Sequence, residues 1–248
     1  MSFKYYVFDA YGTLFDVHSA VSRFASDIGP DAGRVSEIWR NKQLEYTWTR
    51  SGMRRYKDFW QLTQEALDFA LASVPTANNE ARQDLLDAYM SLDCYEEVKP
   101  VLTQLKQQGA KTAILSNGSP EMLKNAVNSA DISDVLDNCF SIHPLEIFKT
   151  SPATYELVTN AWQIKPSEVS FQSSNRWDIA GATAFGFDCA WINRTSQPDD
   201  MLICANGGDA RSQWPSTTSV SSFLRYREPM LFRVSLPLSG SKILPLLL

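Results

Sequence analysis

The chain has 248 residues, 44% hydrophobic and 21% charged, with a formal net charge of -5. That length suits one large domain or a domain carrying an insertion, and the acidic balance argues against a nucleic-acid backbone as partner. Two histidines are too few for a histidine-based metal site, and four cysteines without paired spacing give no disulfide framework.

The N-terminus runs directly into Tyr5-Tyr6-Val7-Phe8, an apolar, β-prone run of strand length. No cationic segment followed by an apolar one precedes it, so no signal peptide is read. Asp9-Ala10-Tyr11-Gly12-Thr13 follows at once, and a carboxylate there must be paired, ligated or used. An Asp that merely caps the next turn is the plain alternative. From Val17 to about Ser91 the pattern is helical, with Ile38, Leu44, Trp48, Phe59, Leu62, Ala66, Phe69 and Ala70 at three- and four-residue spacings. Val35 to Trp48 reads as one of these helices.

From Lys99 to Asn193 helix and strand alternate. Helices are expected over Val101–Gln108, Met122–Ser129, Pro152–Trp162 and Trp177–Phe185. Strands are expected over Lys111–Leu115, Cys139–Ile142, Val169–Gln172 and Asp188–Ile192. Cys139 and Cys189 fall in such runs and read as buried thiols. The alternation predicts an α/β fold with a parallel sheet and helices on both faces. Polar groups follow several strands: Ser116-Asn117-Gly118-Ser119, Lys149 after Ile147-Phe148, and Ser173-Ser174-Asn175-Arg176-Trp177-Asp178. Ligand crevices in open parallel sheets lie outside the carboxyl ends of the strands, so these groups are expected to meet Asp9 at one edge. The end of the chain, Met230 to Leu248, is apolar but broken by Arg233, Pro237, Lys242 and Pro245, too interrupted to span a membrane. A cytoplasmic protein without a membrane partner is expected.

With these residues in place, the chain resembles the L-2-haloacid dehalogenases of the haloacid dehalogenase superfamily. The likeness runs from Tyr5 to Asn193, about three quarters of the chain. It rests on Asp9-Ala10-Tyr11-Gly12-Thr13, Lys42-Gln43-Leu44-Glu45-Tyr46 with Trp48, Ser116-Asn117-Gly118, Lys149, Tyr155 and Ser173-Ser174-Asn175 with Trp177-Asp178, together with Tyr56, Asp58, Phe59 and Trp60. It implies a Rossmann-like core domain over 1–16 and 97–225 and an inserted helical cap domain over 17–96. Residues 226–248 stay unassigned.

The resemblance implies that Asp9 attacks the halogen-bearing carbon of a short L-2-haloacid, inverts it and forms an ester. Water then attacks the Asp9 carboxyl carbon and releases the D-2-hydroxy acid. Asp178 would serve that water, held by Ser173 and Asn175. Lys149 would stabilise Asp9 and the oxyanion formed on it, and Thr13 would orient Asp9. Ser116 and the amides near Ala10 and Tyr11 would hold the substrate carboxylate. Arg40, Asn117 and the ring edge of Trp177 would cradle the halide. Tyr11, Leu44, Phe59 and Trp177 would wall the alkyl group. Tyr155 reads equally as helix–sheet packing or as a hydroxyl bonded to Asp9 or Lys149.

Phosphatases of this fold carry a second Asp two residues after the nucleophile and bind magnesium through clustered carboxylates. Here that position is Tyr11, a poor acid at neutral pH, and the last motif offers only Asp178. No metal and no cofactor are therefore expected. A phosphatase, a catalytically weak or altered-specificity member of the same family, and a non-catalytic binding protein remain the alternatives. A homodimer is implied by the resemblance alone. Four departures from the family pattern stand out. Asn41 replaces a Gln and is expected to widen the pocket. Thr150 replaces a Pro after the lysine, and His143-Pro144 replaces an acidic segment. Arg176 is expected to favour the charged form of Asp178.

Overall fold

A computed structural model of the chain describes residues 3–198. The segment 199–225 expected in the core and the tail expected over 226–248 lie outside the described residues. Five strands form one parallel sheet: β1 (Tyr5–Phe8), β2 (Lys111–Ser116), β3 (Asn138–Ser141), β4 (Val169–Ser173) and β5 (Asp188–Trp191), in the order β3-β2-β1-β4-β5. β1 is central, with Val7 level with Ala113 on one side and Phe171 on the other. A central parallel strand is covered on both faces, which is why Tyr6, Val7 and Phe8 are consecutive and all buried. The chain leaves β1 on one side to make β2 and β3, then returns on the other to make β4 and β5. The order therefore reverses at β1 and β4, the place where such sheets open a crevice at their carboxyl ends.

The segment after β1 folds as α1 (Ser19–Arg23), α2 (Ala25–Ile28), α3 (Ala32–Met53), α4 (Phe59–Ser73) and α5 (Arg82–Tyr89). α3 is longer than expected at both ends, running until Arg54 adopts a left-handed conformation at φ 55. α4 begins where Asp58 accepts the Gln61 N–H at 3.0 Å. The two helices pack along Val35, Trp39 and Gln43 of α3 and Phe59, Leu62, Ala66 and Ala70 of α4, all buried. Two apolar residues of the expected helical face lie outside this seam, Trp48 at 43% exposure and Phe69 at 42%. The Lys42 ammonium covers the Phe69 ring at 4.7 Å.

The remaining helices are α6 (Val98–Gln107), α7 (Pro120–Ser129), α8 (Pro152–Trp162) and α9 (Arg176–Phe185). α7 starts two residues before the expected Met122, because Ser119 caps it and Pro120 takes its first position. α6 likewise starts at Val98 rather than Val101. The cysteine expectation is corrected: Cys139 is exposed and Cys189 only partly buried. Among the described residues each lies on an edge strand, where one flank has no neighbouring strand. Among the described residues no helix is long and apolar enough to cross a membrane.

Candidate active site

β1 delivers Asp9 to the crevice, with its N–H bonded to the Gln172 carbonyl of β4 at 2.9 Å. The chain then turns so sharply that the Ala10 carbonyl accepts from Thr13, Leu14 and Phe15. Gly12 makes the turn possible: its φ is +91, and a Cβ there would lie 3.2 Å from the Ser174 hydroxyl. Thr13 is thereby folded back onto Asp9, and its hydroxyl lies 3.1 Å from Asp9 Oδ2.

Both Asp9 oxygens are occupied. Lys149 Nζ donates to Oδ1 at 3.0 Å, and Asn175 Nδ2 donates to Oδ2 at 2.7 Å. The Ser173 hydroxyl stands 3.5 Å from Oδ2 and accepts the Asn175 N–H at 3.1 Å. Lys149 also donates to Asp178 Oδ2 at 2.7 Å, so one cation serves two carboxylates. The exposures of these groups are 5% for Asp9, 1% for Lys149 and 0% for Asp178. Burial alone would pull Lys149 down, but the charges of Asp178 and Asp9 more than offset it, and its pKa is raised. Burial pushes Asp178 above the ordinary carboxylate range against the pull of Lys149, and the Asp9 charge adds to the rise. A shared lysine cannot fully compensate two buried carboxylates.

Tyr155 is completely buried among Phe171, Phe185 and Phe187. Its hydroxyl donates to Asp178 Oδ1 at 2.8 Å, rather than to Asp9 or Lys149. Both halves of the expectation merge here, since the ring packs and the hydroxyl holds the second carboxylate. Arg176 lies over the Trp191 ring at 5.5 Å, and the largest charge influences on Asp178 are Lys149 and Asp9.

β2 ends at Ser116, whose hydroxyl accepts the Gly118 N–H at 3.1 Å. Asn117 Oδ1 accepts the Lys149 backbone N–H at 3.0 Å, so this residue fixes the lysine loop. Gly118 must be small, since a Cβ would lie 2.8 Å from the Tyr11 ring. Tyr11 is buried, stacks on Tyr89 at 5.8 Å and meets Phe59 at 5.6 Å. Burial raises its pKa further, so it stays protonated.

From α3, Arg40 donates to the Tyr11 carbonyl at 3.0 Å and to Asn175 Oδ1 at 3.2 Å. Asn175 thus stands between this guanidinium and Asp9. Arg40 also donates to Gln43 Oε1 at 2.9 Å, and Gln43 is held by Thr63 at 2.7 Å and Tyr89 at 3.0 Å. Leu44 is partly buried one residue further on. The expected pocket residue Asn41 is exposed and not brought to the cluster. Gln43, whose role was not read from the sequence, is the buried amide beside Arg40 at 1% exposure. The signal for it was in the pattern, a polar residue four after Trp39 on the buried stripe. Phe59 touches both Tyr11 and Phe148, and Trp177 meets Trp48 edge-on at 5.6 Å. His143, a departure from the family pattern, joins β3's end to the helical segment through Tyr56 Oη at 3.0 Å. Among the described residues no three His, Cys, Asp or Glu side chains converge as a metal site would need.

The chain matches the model of the haloacid dehalogenase-like hydrolases over residues 3–186. It is 49% identical over 195 residues to (S)-2-haloacid dehalogenase 1 of Pseudomonas sp. strain CBS-3, covering 78% of this chain and 86% of that one. It is 46% identical to (S)-2-haloacid dehalogenase 4A of Burkholderia cepacia, over 78% and 84% of the two chains. Its fold matches L-2-haloacid dehalogenase from Xanthobacter autotrophicus with chloropropionic acid covalently bound. There the TM-score is 0.72 and the identity 39%, over 79% of this chain and 80% of that chain. A sheet that reverses at β1, an aspartate at its carboxyl edge and relatives at this identity lead to one assignment: the chain belongs to the haloacid dehalogenase-like hydrolase family.

Proposed function

We propose that this protein hydrolyses L-2-haloacids to D-2-hydroxy acids, with Asp9 as the nucleophile. The observation that carries the reading is the state of Asp9: buried, aimed into the crevice, and held at both oxygens by Lys149, Thr13 and Asn175. A carboxylate fixed in this way is oriented for in-line attack at the halogen-bearing carbon. The halide leaves as an anion and needs no proton donor, which suits the neutral, buried Tyr11 two residues on. Arg40, Asn117 and Trp177 take the departing halide, and Ser116 with the amides near Ala10 and Tyr11 takes the substrate carboxylate. Tyr11, Leu44, Phe59 and Trp177 surround the alkyl group.

The Asp9 ester is then opened by water attacking its carboxyl carbon. Asp178 takes the proton of that water, with Ser173 and Asn175 orienting it. Lys149 stabilises the oxyanion that develops on Asp9. A carboxylate kept in place by Tyr155 and Lys149 fits this step. The helical segment 17–96 acts as the cap, contributing Arg40 across the crevice. The scheme uses no metal, and the donor set around Asp9 and Asp178 includes a lysine where a cation would sit.

One turnover in heavy-oxygen water, with enzyme in excess, tests the scheme. The hydroxy acid should be largely unlabelled and the Asp9 peptide labelled. Asp178→Asn should release one halide per site and stall with an ester adduct visible by intact mass. Label in the first product, or magnesium-dependent phosphatase activity without halide release, would overturn the reading.

A further inference from the structure

We infer that Trp48 sets the chain-length limit of the substrate, closing with Trp177 the way from the Asp9 cluster into an apolar groove. This inference rests on the haloacid reading above. Trp48 projects from α3 and is 43% exposed, and its ring meets Trp177 of α9 at 5.6 Å and 79°. Among the described residues, each ring is the other's only aromatic partner. Trp177 directly precedes Asp178 and lies two residues beyond Asn175, so the chain ties the pair to the cluster.

Beside the pair lies an open groove of about 540 Å³, lined also by Thr150, Ala180, Gly181, Ala184 and Phe185. The groove borders the cluster twice through chain neighbours, because Thr150 follows Lys149 and Trp177 precedes Asp178. Trp177, Ala180, Gly181 and Ala184 are spaced i, i+3, i+4 and i+7, which puts them on one face of α9. That face extends about 10 Å along the helix axis. Ala180 and Ala184 leave a trough along it, while Gly181 lets the Tyr155 hydroxyl and Thr150 pack close, and no charged residue lines the groove.

A 2-haloacid has one part that varies in length and avoids water, the alkyl substituent on its halogenated carbon. With carboxylate and halogen held in the crevice, only that tail is free to extend toward the groove. The trough is apolar, which suits a methylene chain. An edge-on aromatic pair is a small contact, so it closes this route to short acids without strong resistance to a change of side chain.

The test is the ratio of kcat/KM for 2-bromooctanoate to that for 2-bromopropionate. Trp48→Ala should raise the ratio about tenfold or more, and Trp48→Phe should give a smaller rise. Adding Ala184→Phe to Trp48→Ala should cancel the gain while leaving 2-bromopropionate unaffected. An unchanged ratio in Trp48→Ala, or a gain that survives Ala184→Phe, overturns the inference while the haloacid reading stands. If the wild-type protein releases halide from neither acid, both fall together. Sedimentation provides the other check: a wild-type dimer that Ala184→Arg splits into monomers would mean that a second copy covers the groove, which also overturns the inference.

Discussion

At the carboxyl edge of the sheet, Asp9, Lys149 and Asp178 are almost wholly buried, and both carboxylates bond directly to the lysine. On α3, Arg40 is only partly buried and reaches Asp9 through Asn175. The first group is a closed ionic set whose members have nowhere else to go. The second depends on how α3 holds its arginine, and Gln43, itself bonded to Thr63 and Tyr89, fixes Arg40 within the helical segment. In the proposed reaction, the contrast teaches that the sheet edge supplies the reactive charge, whereas the helices supply the fit.

If that is right, damage to the two regions should differ in kind. Lys149→Met should be the most severe, destabilising the protein by about 3–5 kcal/mol at neutral pH, because it strands two buried carboxylates. The sign with pH follows from the raised Asp178. A carboxylate whose folded pKa is raised costs stability while ionised, and that cost is relieved as pH falls through the raised value. Urea melts of the variant should therefore approach those of the parent protein between neutral pH and pH ~5. The wild-type contribution of Lys149, whose pKa is raised, is complete at neutral pH and is lost only above the usual lysine range. A variant that stays equally weakened in acid would mean that packing, rather than charge, is what Lys149 supplies.

Gln43→Leu should act on the helical side and be milder. It removes the acceptor for Arg40 and the amide that holds Thr63 and Tyr89, a loss of about 1–3 kcal/mol. Steady-state kinetics should register it as about a tenfold fall in kcat/KM. Asn41→Ala, two positions away but exposed, should change stability by less than about 0.5 kcal/mol. Equal effects at positions 41 and 43 would dissolve the distinction between the helix faces.

The same contrast explains what could be read before any coordinates. Asp9, Ser116, Ser173 and Asp178 each follow an apolar run whose length and β-branching announce a strand, so the topology rule placed them at one edge. The strand positions agree with the sheet to within a residue or two. The exposure of Cys139 was not legible, because an apolar run does not say whether its strand is central or at the edge. That Gln43, rather than Asn41, is the buried amide was hidden too. α3 has buried polar residues among exposed apolar ones, so its inward face is blurred in the sequence. Tyr155 was half legible: its burial followed from its helix, but its choice of Asp178 as partner is a matter of how α8 meets α9.

The lysine shared by Asp9 and Asp178 also makes the site keep time. In the proposed cycle, esterification erases the negative charge of Asp9. Lys149 is then left with Asp178 alone, and the repulsion that helped to raise Asp178 is gone. The second carboxylate is thus drawn into its ionised form at the moment when a water must be deprotonated beside it. When hydrolysis restores Asp9, the repulsion returns and Asp178 is pressed to release its charge again. In that proposed cycle the covalent state of one aspartate biases the charge of the other, through the lysine they share.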